Sequence, residues 1–188
     1  MNKPLFLFVG KSASGKTSIA DMLSRYDGYN QVYSYTTRHK RYENEIGHVF
    51  VSDEEYDKLE HIVASTLYNN YRYCTTLEQV QNADVYVVDT EGVRTLLDNY
   101  DLLDRLVYVI YFESSTYNRI KRMLDREDSD TQIVGRLLND ESEDWVFRLK
   151  TVDLIYNGCV ELYIANANLE LNEVYNEIKR FIRRKSNS

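Results

Sequence analysis

Two stretches of this sequence hold residues whose types and spacing suit the binding of an anion. The first is "GKSASGKT", residues 10–17, which fits G-x-x-x-x-G-K-[ST] at every fixed position. Gly10 and Gly15 let the backbone curl so that successive N–H groups point inward at phosphate oxygens. The helix expected to follow adds its positive N-terminal end. In this pattern Gly10, Ser12, Ala13, Ser14, Gly15 and Ser18 surround the phosphates of a nucleotide, Lys16 reaches the β- and γ-phosphates, and the Thr17 hydroxyl helps to hold Mg2+. The second stretch is "SYTTRHKRYENEIGHVFVS", residues 34–52, in which four basic side chains, Arg38, His39, Lys40 and Arg41, follow two threonines. A second anion site is one reading of it, and a solvated basic turn is the plainer one. "VYVVD" ends at Asp89, an acid at the tip of an apolar strand. Such an acid can bind Mg2+ through water or meet a substrate; its plainer role is to stabilise the start of the next helix.

The elements that must position these residues follow from periodicity. "LFLFV", 5–9, is a continuous apolar run ended by Gly10, as expected of a strand buried on both faces of a parallel sheet. Residues 16–25 read as a helix, "DVYVVD" (84–89) as a strand, and "EGVRTLLDNY" as a helix. "RLVYVIYF" (105–112) is a third strand with a helix over about 115–125, and "VELYIAN" (160–166) a fourth, closed by the helix "LNEVYNEIKRFIRRK". Alternating strands and helices predict an α/β fold with a parallel sheet. Two polar segments break the alternation, 34–83 and 126–145, and are expected as insertions over the carboxyl edge of the sheet, where ligands bind.

Composition narrows the class. The chain has 188 residues, enough for one compact domain, and a net charge of −7, which argues against general nucleic-acid binding. The apolar opening "MNKPLFLFVG" runs straight into the glycine-rich loop and reads as a strand, not a leader, and no apolar run approaches the ~20 residues of a membrane helix. The two cysteines, Cys74 and Cys159, lack metal-type spacing and read as reduced thiols, so a cytoplasmic protein is expected.

Beyond these stretches the sequence resembles the guanylate kinases. The Thr-Thr-Arg, the second arginine three residues on, the glycine and the Phe-Val-Ser of residues 34–52 occur in that family's order. "NNYRYCTT" (69–76) is similar to its Tyr-Gly-Ser/Thr segment, "VVDTEGV" (87–93) to its strand ending in Asp followed by Gly-Val, "IKRMLDRED…IVGRLLND" to its lid with two arginines, and "IANANL" (164–169) to its adenine-contacting segment. The resemblance implies a P-loop NTPase-type sheet with core 1–33, 84–125 and 146–188, a nucleoside-monophosphate-binding insertion 34–83 and a lid 126–145. It implies that Arg38 and Arg41 grip the phosphate of an accepting nucleotide beside Tyr73, and that Ser34 and Thr75 face its base. Asp89 would sit between acceptor and metal. Arg126 and Arg136 would close onto the transferring group, and Asn166 would meet the adenine of ATP. Surface ion pairing for Arg126 and Arg136, a core role for Tyr73 and a turn role for Asn166 are the plainer alternatives.

The sequence also departs from that family. His48 falls where a phosphate-directed tyrosine is usual, Cys74 replaces a glycine, and Val87 replaces one of two strand aspartates. The glutamate that reads guanine is missing; its matching position is Val63, or Ala64 if the insertion is placed differently. A base edge without its acceptor costs about 1–3 kcal/mol, enough to undo selectivity. The expectation is therefore an ATP- and Mg2+-dependent kinase acting on GMP or dGMP, with another nucleoside monophosphate or ribose 1,5-bisphosphate as alternative acceptors. A catalytically silent binding module is the rival of another class. The sequence leaves the oligomeric state open.

Overall fold

The computed structural model describes residues 3–40, 43–68, 70–141, 149–150 and 152–187. Among them, a four-stranded parallel sheet forms the centre, built from β1 (Leu5–Val9), β6 (Val85–Val87), β7 (Val107–Glu113) and β8 (Glu161–Asn166) in the order β6-β1-β7-β8. Gln31 adds a parallel bridge to Val85 at the outer edge. Alternation along the strands divides the core in two. Leu5, Leu7 and Val9 join Val107, Val109 and Tyr111 on one face, with Val93, Leu96 and Leu97 of α4 (Thr90–Asp98). Phe6 and Phe8 join Ile110 and Phe112 on the other, under α1 (Lys16–Asp27) and α8 (Leu171–Ser186). Both faces are covered, which is why β1 reads as an unbroken apolar run.

The segment 34–83 folds as a second sheet. β2 (Tyr35–Thr36), β3 (Val49–Phe50), β4 (Ile62–Tyr68) and β5 (Tyr71–Thr76) lie in the order β3-β2-β5-β4, with β4 and β5 antiparallel. The short helices α2 (Asp53–Tyr56) and α3 (Leu77–Gln81) each open on a capping box, from Ser52 with Glu55 and from Thr76 with Gln79. The register of β4 against β5 slips between Ile62 and Ala64, so Val63 is an extra residue in the ladder. The bulge turns both Val63 and Ala64 into the core, and Thr95 of α4 binds the strand beyond it through the Ser65 N–H at 3.1 Å. The stretch 126–145 is described as far as α6 (Asp130–Glu141), which follows α5 (Thr116–Asp125). The short α7 (Asp153–Tyr156) leads to β8. Among the described residues no helix is long and apolar enough to cross a membrane.

Asp27, at the end of α1, ties that helix to α8. It accepts a hydrogen bond from the Tyr175 hydroxyl and pairs with Lys179 Nζ at 2.5 Å and Arg183 Nη2 at 3.5 Å. Burial pushes its carboxyl up, but the hydrogen bonds from Lys179 and Tyr175 outweigh that and hold it below its ordinary 3.8. The folded state thus favours the ionised form. Its contribution is full above pH 3.8 and is lost as the pH falls through the lower folded value. Asp27→Asn is expected to lower stability by about 1 kcal/mol at neutral pH. In urea melts repeated at falling pH, that margin should close below pH 3.8.

Candidate functional site

The loop between β1 and α1 is shaped by close approach. A Cβ on Gly10 would lie 2.8 Å from the Phe112 carbonyl oxygen and 3.0 Å from Ser14 Oγ, so only glycine lets the chain leave β1 against β7. Ala13 (φ 59°) and Gly15 (φ 99°) turn the backbone back on itself, and Gly15 caps α1. Lys16 folds over the loop and donates to the carbonyls of Gly10 (2.5 Å) and Lys11 (2.9 Å) and to Ser14 Oγ (3.3 Å). Desolvation inside this ring pushes its ammonium down to about 8, with Arg119 and Arg126 adding to the fall while Asp140 and Asp89 oppose it. Two more cations and two carboxylates therefore act on one nitrogen. Thr17 and Ser18 lie exposed on the first turn of α1.

Sequence reasoning missed two residues that meet this loop. Arg119 is fully buried and donates to Asp140 Oδ2 at 2.8 Å, and Asp140 in turn accepts the Ser12 N–H at 2.8 Å and the Ser12 hydroxyl at 3.3 Å. Arg122 spans from the Ala13 carbonyl (3.3 Å) to the Ala167 carbonyl (2.7 Å), clamping the loop to the end of β8. One signal existed: Arg119 stands at i, i+4 from Met123 on the buried side of α5, where an apolar residue is expected.

A cleft of about 960 Å³ is lined by Gly10, Ser12 and Lys16, by Asp89, and by Ser34, His48 and Tyr73. Ser34 Oγ lies 3.1 Å from His48 Nδ1, and the His48 ring meets Tyr73 edge-on at 5.5 Å, so these three predicted residues come together. Asp89 caps α4, its Oδ1 accepting the Gly92 N–H at 2.7 Å, which is the plainer of its two expected roles, and it also lines the cleft. Arg136, Asn139 and Asp140 of α6 line the cleft too, and Asn139 Nδ2 donates to Tyr68 OH at 3.2 Å. Arg72 lines the cleft as well, stacked 3.9 Å from the Tyr56 ring centre and paired with Asp57 at 2.5 Å.

Other predicted residues lie elsewhere. Thr75 is fully buried and donates to Tyr86 OH at 2.7 Å, because β5 turns it toward the core; it does not line the cleft. Arg38 is also not in the lining: its guanidinium forks onto Glu45 at 2.8 and 3.2 Å, with both side chains largely buried. Arg41 lies outside the described residues. Arg126 donates twice to Asp128 Oδ2 (2.9 and 2.6 Å), and Arg136 Nε lies 3.6 Å from the same oxygen, so one carboxylate holds both arginines. Asn166 accepts from Asn168 N and Nδ2 at 3.1 Å, shaping the turn after β8. The positions matched to the missing glutamate, Val63 and Ala64, are core; the part of β4 that lines the cleft is Ser65–Tyr68.

With this geometry in place, comparison with known proteins identifies the fold. The chain is similar to the crystal structure of guanylate kinase from Anaplasma phagocytophilum, with a TM-score of 0.57 and 13% identity over 99% of this chain and 88% of that one. No protein-family model and no curated protein matches it. The likeness shows the fold: a parallel sheet covered on both faces by helices, arranged as in that guanylate kinase.

The N-cap at Asp89 depends on Gly92, where a Cβ would come within 2.4 Å of Val88 Cγ2. Gly92→Ala is expected to cost about 1–3 kcal/mol in a denaturant melt through overpacking. Gly135→Ala, in α6 with nothing within 4 Å of its Cβ, should instead be neutral or stabilising by up to about 1 kcal/mol.

Proposed function

We propose that the protein transfers the γ-phosphoryl group of Mg-ATP to the phosphate of a nucleoside monophosphate, with GMP or dGMP the first acceptors to test. The observation that carries this reading is one cleft lined both by the Lys16 loop and by the Ser34–His48–Tyr73 group, with Asp89 also in its lining. In such a reaction an acceptor phosphate oxygen attacks the γ-phosphorus. The new P–O bond forms as the bond to the β–γ bridging oxygen breaks, and ADP leaves with that electron pair. The acceptor is already anionic, so no general base is needed. What the protein must supply is alignment and charge neutralisation.

The residues divide the work accordingly. The loop N–H groups from Gly10 to Ser18 and Lys16 would bind the donor phosphates, and Arg126 and Arg136 would stabilise the transferring group. Arg38 and Arg41 would hold the acceptor phosphate, for which Arg38 must exchange Glu45 as its partner. Ser34, His48 and Tyr73 would face the acceptor, and the segment 34–83 and α6 would close over the two substrates to exclude water. Among the described residues no group of three or more His, Cys, Asp or Glu is placed to hold a metal. The oxygens of Thr17 and Asp89 nonetheless suit Mg2+, which keeps most of its ligands as water and phosphate. Mg2+ bound with ATP would neutralise phosphate charge.

A second acceptor class is favoured by one observation. The stretch of β4 in the cleft, Ser65–Tyr68, offers hydroxyls and a leucine but no carboxylate to accept from a guanine edge. Release of ADP from Mg-ATP should therefore be measured with GMP, dGMP, AMP, CMP, UMP, dTMP and ribose 1,5-bisphosphate. Turnover with one acceptor is expected, falling by about a hundredfold or more in Lys16→Ala. Turnover confined to GMP and dGMP identifies a guanine reader built without the strand carboxylate. Silence with every acceptor while ATP still binds would overturn the kinase reading in favour of a binding module.

A further inference from the structure

The Arg119–Asp140 pair has no part in the scheme above. We propose that Asp140 sits in the seat of a donor phosphate and that Arg119 is a phosphate-binding residue, handed from Asp140 to the nucleotide when α6 moves aside. The inference rests on the reading of the 10–17 loop as the ATP site.

The donors around the Asp140 carboxylate carry this. Oδ2 accepts the Ser12 backbone N–H at 2.8 Å and Arg119 Nη1 at 2.8 Å, while Oδ1 accepts the Ser12 hydroxyl at 3.3 Å. The carboxylate is also the strongest charge acting on the Lys16 ammonium. A loop N–H, a hydroxyl and a guanidinium converging on one oxyanion, within the field of an ammonium, make up the donor set of a phosphate. Arg119 is already aimed: fully buried on α5, it reaches Thr116 Oγ1 at 3.3 Å with its other terminal nitrogen. A structural role alone explains the pair poorly. Burying both charges carries a desolvation penalty, and well-packed apolar side chains would fill the same space at least as well.

Exchange of the anion moves the helix. Asp140 is buried, so packing leaves its carboxylate little room to leave Ser12 by side-chain rotation and the exchange calls for a shift of α6. The same helix carries Arg136 into the cleft and joins Asn139 to Tyr68 of the second sheet. Donor binding would therefore release a contact on the acceptor side, and by linkage an acceptor that frees Tyr68 would favour the donor.

The test is calorimetric binding of a non-hydrolysable ATP analogue with Mg2+ to the full chain and its variants. Removing the competing charge in Asp140→Asn should tighten binding by about tenfold, and Arg119→Met should weaken it by about as much. Unchanged or weaker binding by a folded Asp140→Asn, or unchanged binding by Arg119→Met, overturns the proposal. Wild type and Lys16→Ala binding equally, or neither binding, would instead overturn the ATP-site reading beneath it. Should Asp140→Asn fail to fold, nitroxide labels at the exposed positions Val134→Cys and Tyr117→Cys, with Cys159→Ser, report on α6 against α5 in a chain that keeps the pair. The label distance should change on adding Mg-ATP. An unchanged distance with ATP bound overturns the proposal.

Discussion

Everything at the site hangs on how closely β1 and β7 come together at Gly10. The Phe112 carbonyl occupies the space where a side chain would begin, so the loop must leave the sheet directly beside the exit of β7. That exit leads into α5, which therefore starts next to the loop and presents Arg119 and Arg122 to it. Arg122 then fastens the loop to the end of β8, so three strand ends are held at one point by one tight contact and one guanidinium. Lys16 completes the closure from within, its ammonium taking the loop's own carbonyls.

Charge around the cleft is arranged in matched pairs. Arg38 has Glu45, Arg119 has Asp140, and Arg126 and Arg136 share Asp128. A chain of net charge −7 has carboxylates to spare for this. Under the proposed function, phosphate binding at these arginines would exchange one anion for another more than it would capture one on bare cations. Such an exchange would link each binding event to the movement of the carboxylate it displaces.

The central sheet was legible because its strands are buried on both faces and its helices are amphipathic: 5–9 is met by Leu5–Val9, and the helix over about 115–125 by Thr116–Asp125. The loop motif was legible because its residues are contiguous. The second sheet was not. β2 and β3 have two residues each, too few for any period, and the bulge in "IVASTLY" breaks the alternation that would have marked β4. Arg119 and Asp140 are 21 residues apart, and Ser12 and Asp140 are 128 apart, so no local pattern could join them. Arg38 and Thr75 show the complementary limit: the resemblance implies ligand contacts for both but carries no sign of the internal partners the fold gives them, the Glu45 carboxylate and the Tyr86 hydroxyl.

The extra residue at Val63 has a consequence for how this chain is compared with others. Upstream of it, counting along the strand assigns inside and outside with one parity; downstream, with the opposite parity. An alignment carried through without a one-residue gap would therefore match interior positions of this strand to exterior positions of a relative. Counted instead from its far end, where Tyr68 pairs with Tyr71, the strand has an unbroken register through Ser65. Position relative to that end is the coordinate on which differences in this strand among related chains should be placed.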